Sequence, residues 1–373
     1  MKFNIDGKLF QQQLQAVNKV INSKNAISIL DNFLFELDGD TLTVTGNDQE
    51  NIVSARLKVV DSEGNGAIAV PAKTLLEITK EISNQPIEFR LDESYGDIEI
   101  NFLNGNFKFK GINAMEFPKG EEYEGEGKEF TVAGEIILQG LDSTLYAVSQ
   151  EPIRPIMTGV YWDIHTEDIT FVASDTHKLV RFITHKATPG FDYGFIMPFK
   201  PASIIKSILK KDDEVKVRIG EKGAKFEFGD FSLSCRFIKG NYPNYNRVIP
   251  ANNPFTVTID RASFLNAMRR VAIFASKASN LVKMSMRAGG LLLEAQDLDY
   301  GTSAKETVMC DYDGNEMTIG FNSMYTIEIL NNMPGDSVML KLSDPSRPGV
   351  FEPMKQPEES SLVIIEMPMQ VID

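Results

Sequence analysis

The chain has 373 residues, 42% hydrophobic and 24% charged, with 38 Lys and Arg against 52 Asp and Glu for a net charge of −14. That length suits two or three domains, and the mixture excludes a disordered or collagen-like chain. Taken as a total, the acidic balance argues against a nucleic-acid partner, because phosphate binding wants clustered cations.

Two cysteines, Cys235 and Cys310, lie far apart without ligand-like spacing. They suit a reducing compartment and predict neither a disulfide framework nor a zinc site. The opening Met1-Lys2-Phe3-Asn4-Ile5-Asp6 has no signal-peptide core, and no apolar run approaches the roughly 18–20 residues of a membrane helix. A soluble, cytoplasmic protein is expected.

In chain order, Phe3 and Ile5 alternate with polar residues as in a half-buried strand. Phe10, Leu14, Val17 and Ile21 then mark one face of a helix. Strands follow at 33–37 and 42–45, joined by Asp38-Gly39-Asp40 with hairpin chemistry, and the second leads to Asp48. A strand at 67–71 precedes a helix carrying Leu75, Leu76, Ile78 and Ile82. Strands at 87–91, 98–100 and 107–109 lead to Phe117-Pro118.

The same order then recurs. A second copy runs from Phe130 through a helix with Ile137, Leu141 and Leu145, the Ile169–Asp175 segment and a helix with Ile204, Ile205 and Ile208, to Tyr242-Pro243. A third runs from Phe255 through a helix with Phe264, Leu265, Met268 and Val271, the Leu291–Asp297 segment and a helix with Met324, Ile327 and Leu330, to Met367-Pro368. Asp48, Asp175 and Asp297 are aligned on this reading. It predicts three domains, 1–126, 127–252 and 253–373. The first boundary falls in the Glu- and Gly-rich 119–128 segment and the second at Pro250-Ala251-Asn252-Asn253-Pro254. Two amphipathic helices per copy on antiparallel strands predict an α+β fold.

Ser174-Asp175-Thr176-His177 holds a hydroxyl, a carboxylate and an imidazole. Neighbours on one strand end point in different directions, whereas a nucleophilic triad is assembled from separate segments. No Gly-x-Ser-x-Gly elbow, Cys-x-x-Cys, His-Glu-x-x-His or Gly-rich phosphate loop occurs. A strand-end turn is therefore expected there, with no metal, no cofactor and no catalytic residue.

Charge is unevenly spread. Residues 8–24 carry three Lys and no acid; 200–211 carry Lys200, Lys206, Lys210 and Lys211 and no acid; 261–283 carry five cations and no acid. Residues 116–129 hold six Glu against two Lys, while 135–151 hold three acids and no base. Cations gather on several helical segments and acids in loops, so the net charge does not describe any one surface.

Several short motifs now combine with the repeat. Met1-Lys2-Phe3, the 172–179 segment Val-Ala-Ser-Asp-Thr-His-Lys-Leu, the 240–250 segment Gly-Asn-Tyr-Pro-Asn-Tyr-Asn-Arg-Val-Ile-Pro, Arg270-Val271-Ala272-Ile273 and Met367-Pro368-Met369 appear in order. With them the whole chain resembles the bacterial sliding clamp family, the beta subunit of DNA polymerase III holoenzyme. The resemblance implies a head-to-tail homodimer forming a ring of six similar domains, with helices inside and sheets outside. Such a ring encircles double-stranded DNA without reading sequence and confers processivity without catalysis. The implied partners are the DNA polymerase III catalytic subunit, the clamp loader and other clamp-motif proteins. Phe107 and Phe109 would meet the partner's Ile273 and the partner's Phe274. Lys24, Lys73 and Lys200 match basic positions or loops of the family and would face DNA, as would Arg270 from its helix placement.

The resemblance also implies a groove for a short motif of Gln, Leu and aromatic residues. Its matching positions are Arg154, Met157, Ser174, Thr176, His177, Lys178, Leu179, Pro243, Arg247, Val248, Pro348, Ile365, Met367, Pro368 and Met369. Thr176 stands where Gly is usual, Lys178 where Arg is usual and Ile156 where an aromatic gate is common. The tail Gln370-Val371-Ile372-Asp373 departs from the Arg-Leu ending of many members. Two other readings compete with the clamp: a hydrolase using Ser174, Asp175 and His177, and a peptide scaffold independent of DNA.

Overall fold

The computed structural model describes residues 1–92, 96–118, 120, 127–312 and 314–371. Among these residues six α-helices appear: α1 Gly7–Asn18, α2 Ala72–Glu81, α3 Gly134–Thr144, α4 Phe199–Ile208, α5 Arg261–Ala272 and α6 Ser323–Asn332. They fall two to a copy, where the apolar periodicity puts them. The Asp6 side chain caps α1 by accepting from the Leu9 N–H (2.8 Å), and Asp260 caps α5 by accepting from the Ser263 N–H (2.8 Å). Each cap satisfies one of the orphan donors of a helix start.

The first helix of every copy is moored alike. The N–H of Gly7, Gly134 or Arg261 donates to the carbonyl of Gln85, Asp213 or Asp336. In the first two copies the approach requires glycine. A Cβ at Gly7 would sit 2.5 Å from the Gln85 oxygen, and one at Gly134 2.2 Å from the Lys210 oxygen.

The strands form antiparallel ladders throughout. The chain divides into two compact units, Met1–Glu135 with Lys200–Phe237, and Ile136–Phe199 with Ile238–Asp373. The first unit holds a five-stranded sheet in the order Val60–Glu63, Lys2–Asp6, Pro86–Asp92, Asp97–Phe102, Gly105–Lys110. It also holds a nine-stranded sheet running from Ile112–Asn113 to Lys128–Ala133. The second unit holds a twelve-stranded sheet that begins at Tyr193–Pro198 and ends at Met317–Asn322.

The central copy is shared between these units because its strands continue its neighbours' sheets. Asn51–Lys58 of the first copy pairs with Phe231–Arg236 of the second, from Ala55↔Phe231 to Asn51↔Cys235. Lys178–Thr184 of the second copy pairs with Ser360–Glu366 of the third, from Lys178↔Glu366 to Thr184↔Ser360. Ladder hydrogen bonds thus seal both seams within the chain. The 121–126 part of the first linker lies outside the described residues.

Among the strands not anticipated are Asn51–Lys58 and Val60–Glu63 of the first copy. The former buries Val53, Ala55 and Leu57 between less buried residues, an ordinary period-two pattern.

The hairpin register also corrects the third aspartate. The last ladder pairs before the turn are Asn47↔Ile52, Ser174↔Leu179 and Asp297↔Thr302. Asp297 therefore sits level with Asn47 and Ser174, and the position of Asp48 and Asp175 is taken by the exposed Leu298. The misalignment arises because Asp297 does the same local work. Its Oδ1 accepts from the N–H groups two and three residues on, as the Oδ1 atoms of Asp48 and Asp175 do.

Candidate functional site

The turn after Ile169–Ser174 is built by its own polar side chains. Asp175 Oδ1 accepts from the N–H of His177 (3.0 Å) and of Lys178 (2.8 Å). Ser174 Oγ donates to the Lys178 carbonyl at 2.9 Å and accepts from the Thr176 N–H at 3.1 Å. Ser174 is thus occupied with backbone and Asp175 with backbone and the Lys178 ammonium, and the His177 ring stacks on Tyr325 at 5.4 Å. This is the strand-end turn expected from the sequence, not a nucleophile with its base.

Thr176 has φ +80°, in the left-handed region that disfavours β-branched residues. Holding it there costs roughly 1–2 kcal/mol. Thr176→Gly is expected to stabilise the chain by about 1 kcal/mol, since glycine's greater unfolded freedom offsets part of the relief. Chemical denaturation checks this; a lowered midpoint would contradict it.

Beside the turn lies a cavity of about 200 Å³. Ten sequence-selected residues line it: Met157, Ser174, Thr176, His177, Lys178, Leu179, Pro243, Val248, Ile365 and Met367. Tyr242, Asn244 and Tyr245 line it too and were missed. Their signal was the pair of tyrosines flanking Pro243 in an otherwise polar loop. Arg154, Arg247, Pro348, Pro368 and Met369 are not among the lining residues; Arg154 and Arg247 are exposed nearby in the chain, and Pro368 and Met369 face a separate hollow with Thr318 and Gly320.

The floor is apolar. Leu179, Tyr245 and Ile365 belong to a buried cluster with Val172, Val350 and Val363. The 242–247 loop is pinned on it by aromatic and polar contacts. Tyr161 and Tyr242 stack at 4.7 Å, and the Tyr245 hydroxyl donates to Asp163 Oδ2 at 2.7 Å. Burial pushes the Tyr161 hydroxyl up to about 12, with the Asp163 charge adding to it. Gly240 has φ +134°, and a Cβ there would meet Ile156 at 2.7 Å. Val248 (51% exposed) and Met367 (44%) leave apolar surface open to a ligand.

Lys178 behaves differently from its neighbours. Its side chain is 4% exposed, and its Nζ lies 2.5 Å from Asp175 Oδ2 and 2.9 Å from Glu328 Oε2. The ammonium also stands 4.5 Å over the Tyr325 ring. Burial opposes the charge, but the hydrogen bonds to Asp175 and Glu328 outweigh it and hold the group above the ordinary lysine value. Next to it, Glu366 is fully buried, with Thr326 Oγ1 donating to its Oε2 at 2.9 Å. Burial raises this carboxyl well above its usual range, against the pull of the Thr326 hydrogen bond and the Lys178 charge.

The four cations selected for DNA fare unequally. Lys24 and Lys73 are exposed and make no ion pair among the described residues. Lys200 Nζ is held by Asp48 Oδ2 (2.5 Å), the Val20 carbonyl (2.5 Å) and Asn22 Oδ1 (2.6 Å). Arg270 forks onto Glu306, with Nε 3.0 Å from Oε2 and Nη2 2.5 Å from Oε1. Among the described residues no His, Cys, Asp and Glu cluster could hold a metal ion, and no helix is long and apolar enough to cross a membrane.

The apolar residues selected for a dimer contact are open. Ile273 is 68% and Phe274 38% exposed, just beyond α5. Phe107 and Phe109 are half-buried on Gly105–Lys110, the outer strand of the five-stranded sheet.

Comparison with known proteins follows the repeat. Three family models match in succession: DNA polymerase III beta subunit N-terminal domain over residues 1–121, central domain over 131–244 and C-terminal domain over 246–370. The beta sliding clamp of Pseudomonas aeruginosa is 26% identical over 370 residues, covering 98% of this chain and 100% of that protein. The beta sliding clamp of Caulobacter vibrioides is 27% identical over 383 residues, covering all of both. A crystal structure of the Pseudomonas aeruginosa sliding clamp bound to griselimycin superposes with a TM-score of 0.94 at 26% identity, covering all of both chains.

Proposed function

The chain belongs to the bacterial DNA polymerase III beta subunit family, and we propose that two copies close head to tail into a ring around duplex DNA, each offering its groove to partner peptides. As a member of that family it is a DNA polymerase sliding clamp, a non-catalytic subunit that confers processivity. On this reading the three domains span 1–126, 127–252 and 253–373.

One observation carries the ring. At both internal seams the strand after the hairpin turn of one copy pairs with the last strand of the next. The third copy's equivalent, Thr302–Asp311, pairs with Gly290–Asp297 on one side and with Phe255–Asp260 only at Cys310 and Asp311. The first copy's equivalent of that last strand, Gly105–Lys110, pairs with Asp97–Phe102 alone among the described residues. Two open edges of matching type are what a third seam, made between protomers, would use. Open edges seek partners, and a heterologous contact that closes gives a ring. Phe107 and Phe109 beside the partner's Ile273 and the partner's Phe274 then bury apolar surface at that seam.

Encirclement needs weak, sequence-independent attraction to phosphates. The free cations Lys24 and Lys73 suit that better than Lys200 and Arg270, whose charges are answered by Asp48 and Glu306. Acids elsewhere discourage DNA from adhering to the exterior. The groove's apolar floor and its methionine suit Leu and aromatic anchors from several partners, among them polymerase and loader proteins.

Loading onto nicked circular DNA by a clamp loader tests the reading. The protein is expected to stay on circles through gel filtration and to leave once they are linearised. Equal retention on linear DNA would point to ordinary binding, and no retention to a peptide scaffold; either would overturn encirclement.

A further inference from the structure

The loop that forms one wall of the groove is held from outside the cavity. Tyr161, Val172 and Arg181 are consecutive cross-strand partners on three neighbouring strands, so they share one face of the sheet. Asp163 lies two residues beyond Tyr161 on Gly159–Ile164 and falls on the same face. The 242–248 loop is gripped there three times. Tyr242 stacks on Tyr161, the Tyr245 hydroxyl donates to Asp163 Oδ2 at 2.7 Å, and Arg181 Nη1 donates to Asn246 Oδ1 at 3.0 Å. Tyr161, Asp163 and Arg181 are not among the described residues that line the cavity, whereas Tyr242 and Tyr245 are.

Asp163 is the hub of this grip. Its Oδ1 lies 3.4 Å from the Tyr161 hydroxyl and 3.5 Å from His165 Nε2, while Oδ2 accepts from Tyr245. The Tyr245 bond sits at the middle of the wall. Tyr245 opens the single turn Tyr245–Arg247, and the Val248 N–H donates to its carbonyl at 3.3 Å. Pro243 stands two residues before it, so fixing Tyr245 fixes both apolar ends of the wall. A hydrogen bond to a carboxylate is stronger than a neutral one, and Tyr245 is only 8% exposed, so water is a poor substitute for it.

The first copy shows the same loop without this tie. Counted from Phe117-Pro118 and Tyr242-Pro243, Gly120 stands where Tyr245 does, and the ladder register sets Ile52 level with Leu179. A Cβ on Gly120 would run into the Ile52 side chain, so the loop backbone lies against that residue. In the second copy the Tyr245 ring takes up the interval. It packs with Leu179 in one buried cluster, and the cavity opens beside them.

We propose that Asp163 is a positioning residue of the peptide groove: its bond to the Tyr245 hydroxyl holds the 242–248 loop off the sheet and sets the wall that a peptide meets. The inference rests on the groove reading given above. It assigns the geometry of that wall to a carboxylate outside the cavity.

The test measures, by isothermal titration, the affinity of the full-length dimer for a synthetic peptide carrying Gln, Leu and Phe anchors. Asp163→Ala and Tyr245→Phe are each expected to weaken binding about 5- to 10-fold, and the double variant no more than the worse single one, because both remove one bond. Asp163→Asn should bind within about 2-fold of the unmodified protein, since its amide oxygen can accept the same hydroxyl. His165→Gln should bind as the unmodified protein does, because the His165 ring meets Asp163 and Asp192. A purely structural role predicts instead a lowered denaturation midpoint in Asp163→Ala with peptide affinity unchanged. That result, additive losses, no rescue by Asp163→Asn, or an equal loss in His165→Gln would overturn the positioning role. Val248→Asp separates the two levels. If it binds the peptide as well as the unmodified protein does, or the unmodified protein binds none, the groove reading itself falls; if it abolishes binding while Asp163→Ala leaves binding intact, the positioning role alone falls.

Discussion

Removing Met367–Asp373 is expected to weaken binding of a clamp-motif peptide by at least about 100-fold while leaving the protein folded and dimeric. The segment begins where the ladder ends, since Glu366 is the last residue paired with Lys178–Thr184. Met367 then lines the groove, and its N–H donates to the His177 carbonyl at 2.8 Å. Pro368 has no N–H to give, and the Met369 N–H donates to the Gly320 carbonyl at 2.8 Å, an isolated bridge to the sheet's last strand. Gly320 permits that contact, because a Cβ there would lie 2.8 Å from the Met369 oxygen.

Truncation therefore takes away one apolar wall and the clasp on the His177 turn together. Full burial of one methionine against a ligand is worth roughly 1.5–3 kcal/mol, and every 1.4 kcal/mol is tenfold. Loosening of the turn adds to that loss. Stability should change little, because the tail has one main-chain bond to the turn and one to the sheet edge, against the seven paired residues of Ser360–Glu366. Isothermal titration with the peptide reads the affinity, and sedimentation reads the dimer. Undiminished peptide affinity in the truncated chain would remove the groove from this place.

How far the sequence could lead depended on the distance over which each feature is made. Helices and most strands were legible because Phe10, Leu14 and Val17, or Phe3 and Ile5, advertise their buried face within one element. The Asn51–Lys58 strand carries the same signal more weakly, in Val53, Ala55 and Leu57, because Ile52 interrupts the alternation. Asp297 was misplaced by one because an aspartate forms the same turn from either adjacent position. Lys200 and Arg270 looked like free cations on acid-free stretches. Their carboxylates, Asp48 and Glu306, stand 152 and 36 residues away and become neighbours only after folding. The groove's tyrosines were hidden for a related reason. Tyr242 and Tyr245 acquire meaning from Tyr161 and Asp163 on a distant strand. Resemblance supplied residues that line the cavity better than those that hold the lining in place.

Ile273→Ala combined with Phe274→Ala is expected to convert the dimer into a folded monomer of 41.6 kDa. Both side chains stand exposed after α5, so neither truncation opens a core cavity, and the chain's own stability should hardly change. Apolar side chains this open are costly to leave in water unless something covers them. In a head-to-tail ring each substitution is felt at two interfaces. Losing about 2 kcal/mol for each truncated side chain gives roughly 8 kcal/mol for the ring, or between five and six powers of ten in dimer affinity. The estimate is an upper bound for interface residues, because hot-spot losses are not additive. Half of it would bring a nanomolar dimer to a roughly micromolar Kd, so a sedimentation run at about 1 μM would already show a large share of monomer. The strand edges Gly105–Lys110 and Thr302–Asp311 would still be available to pair. Their hydrogen bonds exchange with water at little net gain, so apolar burial beside them has to supply the margin. A variant that sediments as an unaltered dimer would show that the protomers meet elsewhere. A monomer that also fails to stay on circular DNA, while still binding the peptide with unchanged affinity, would separate the ring's closure from its groove within one protein.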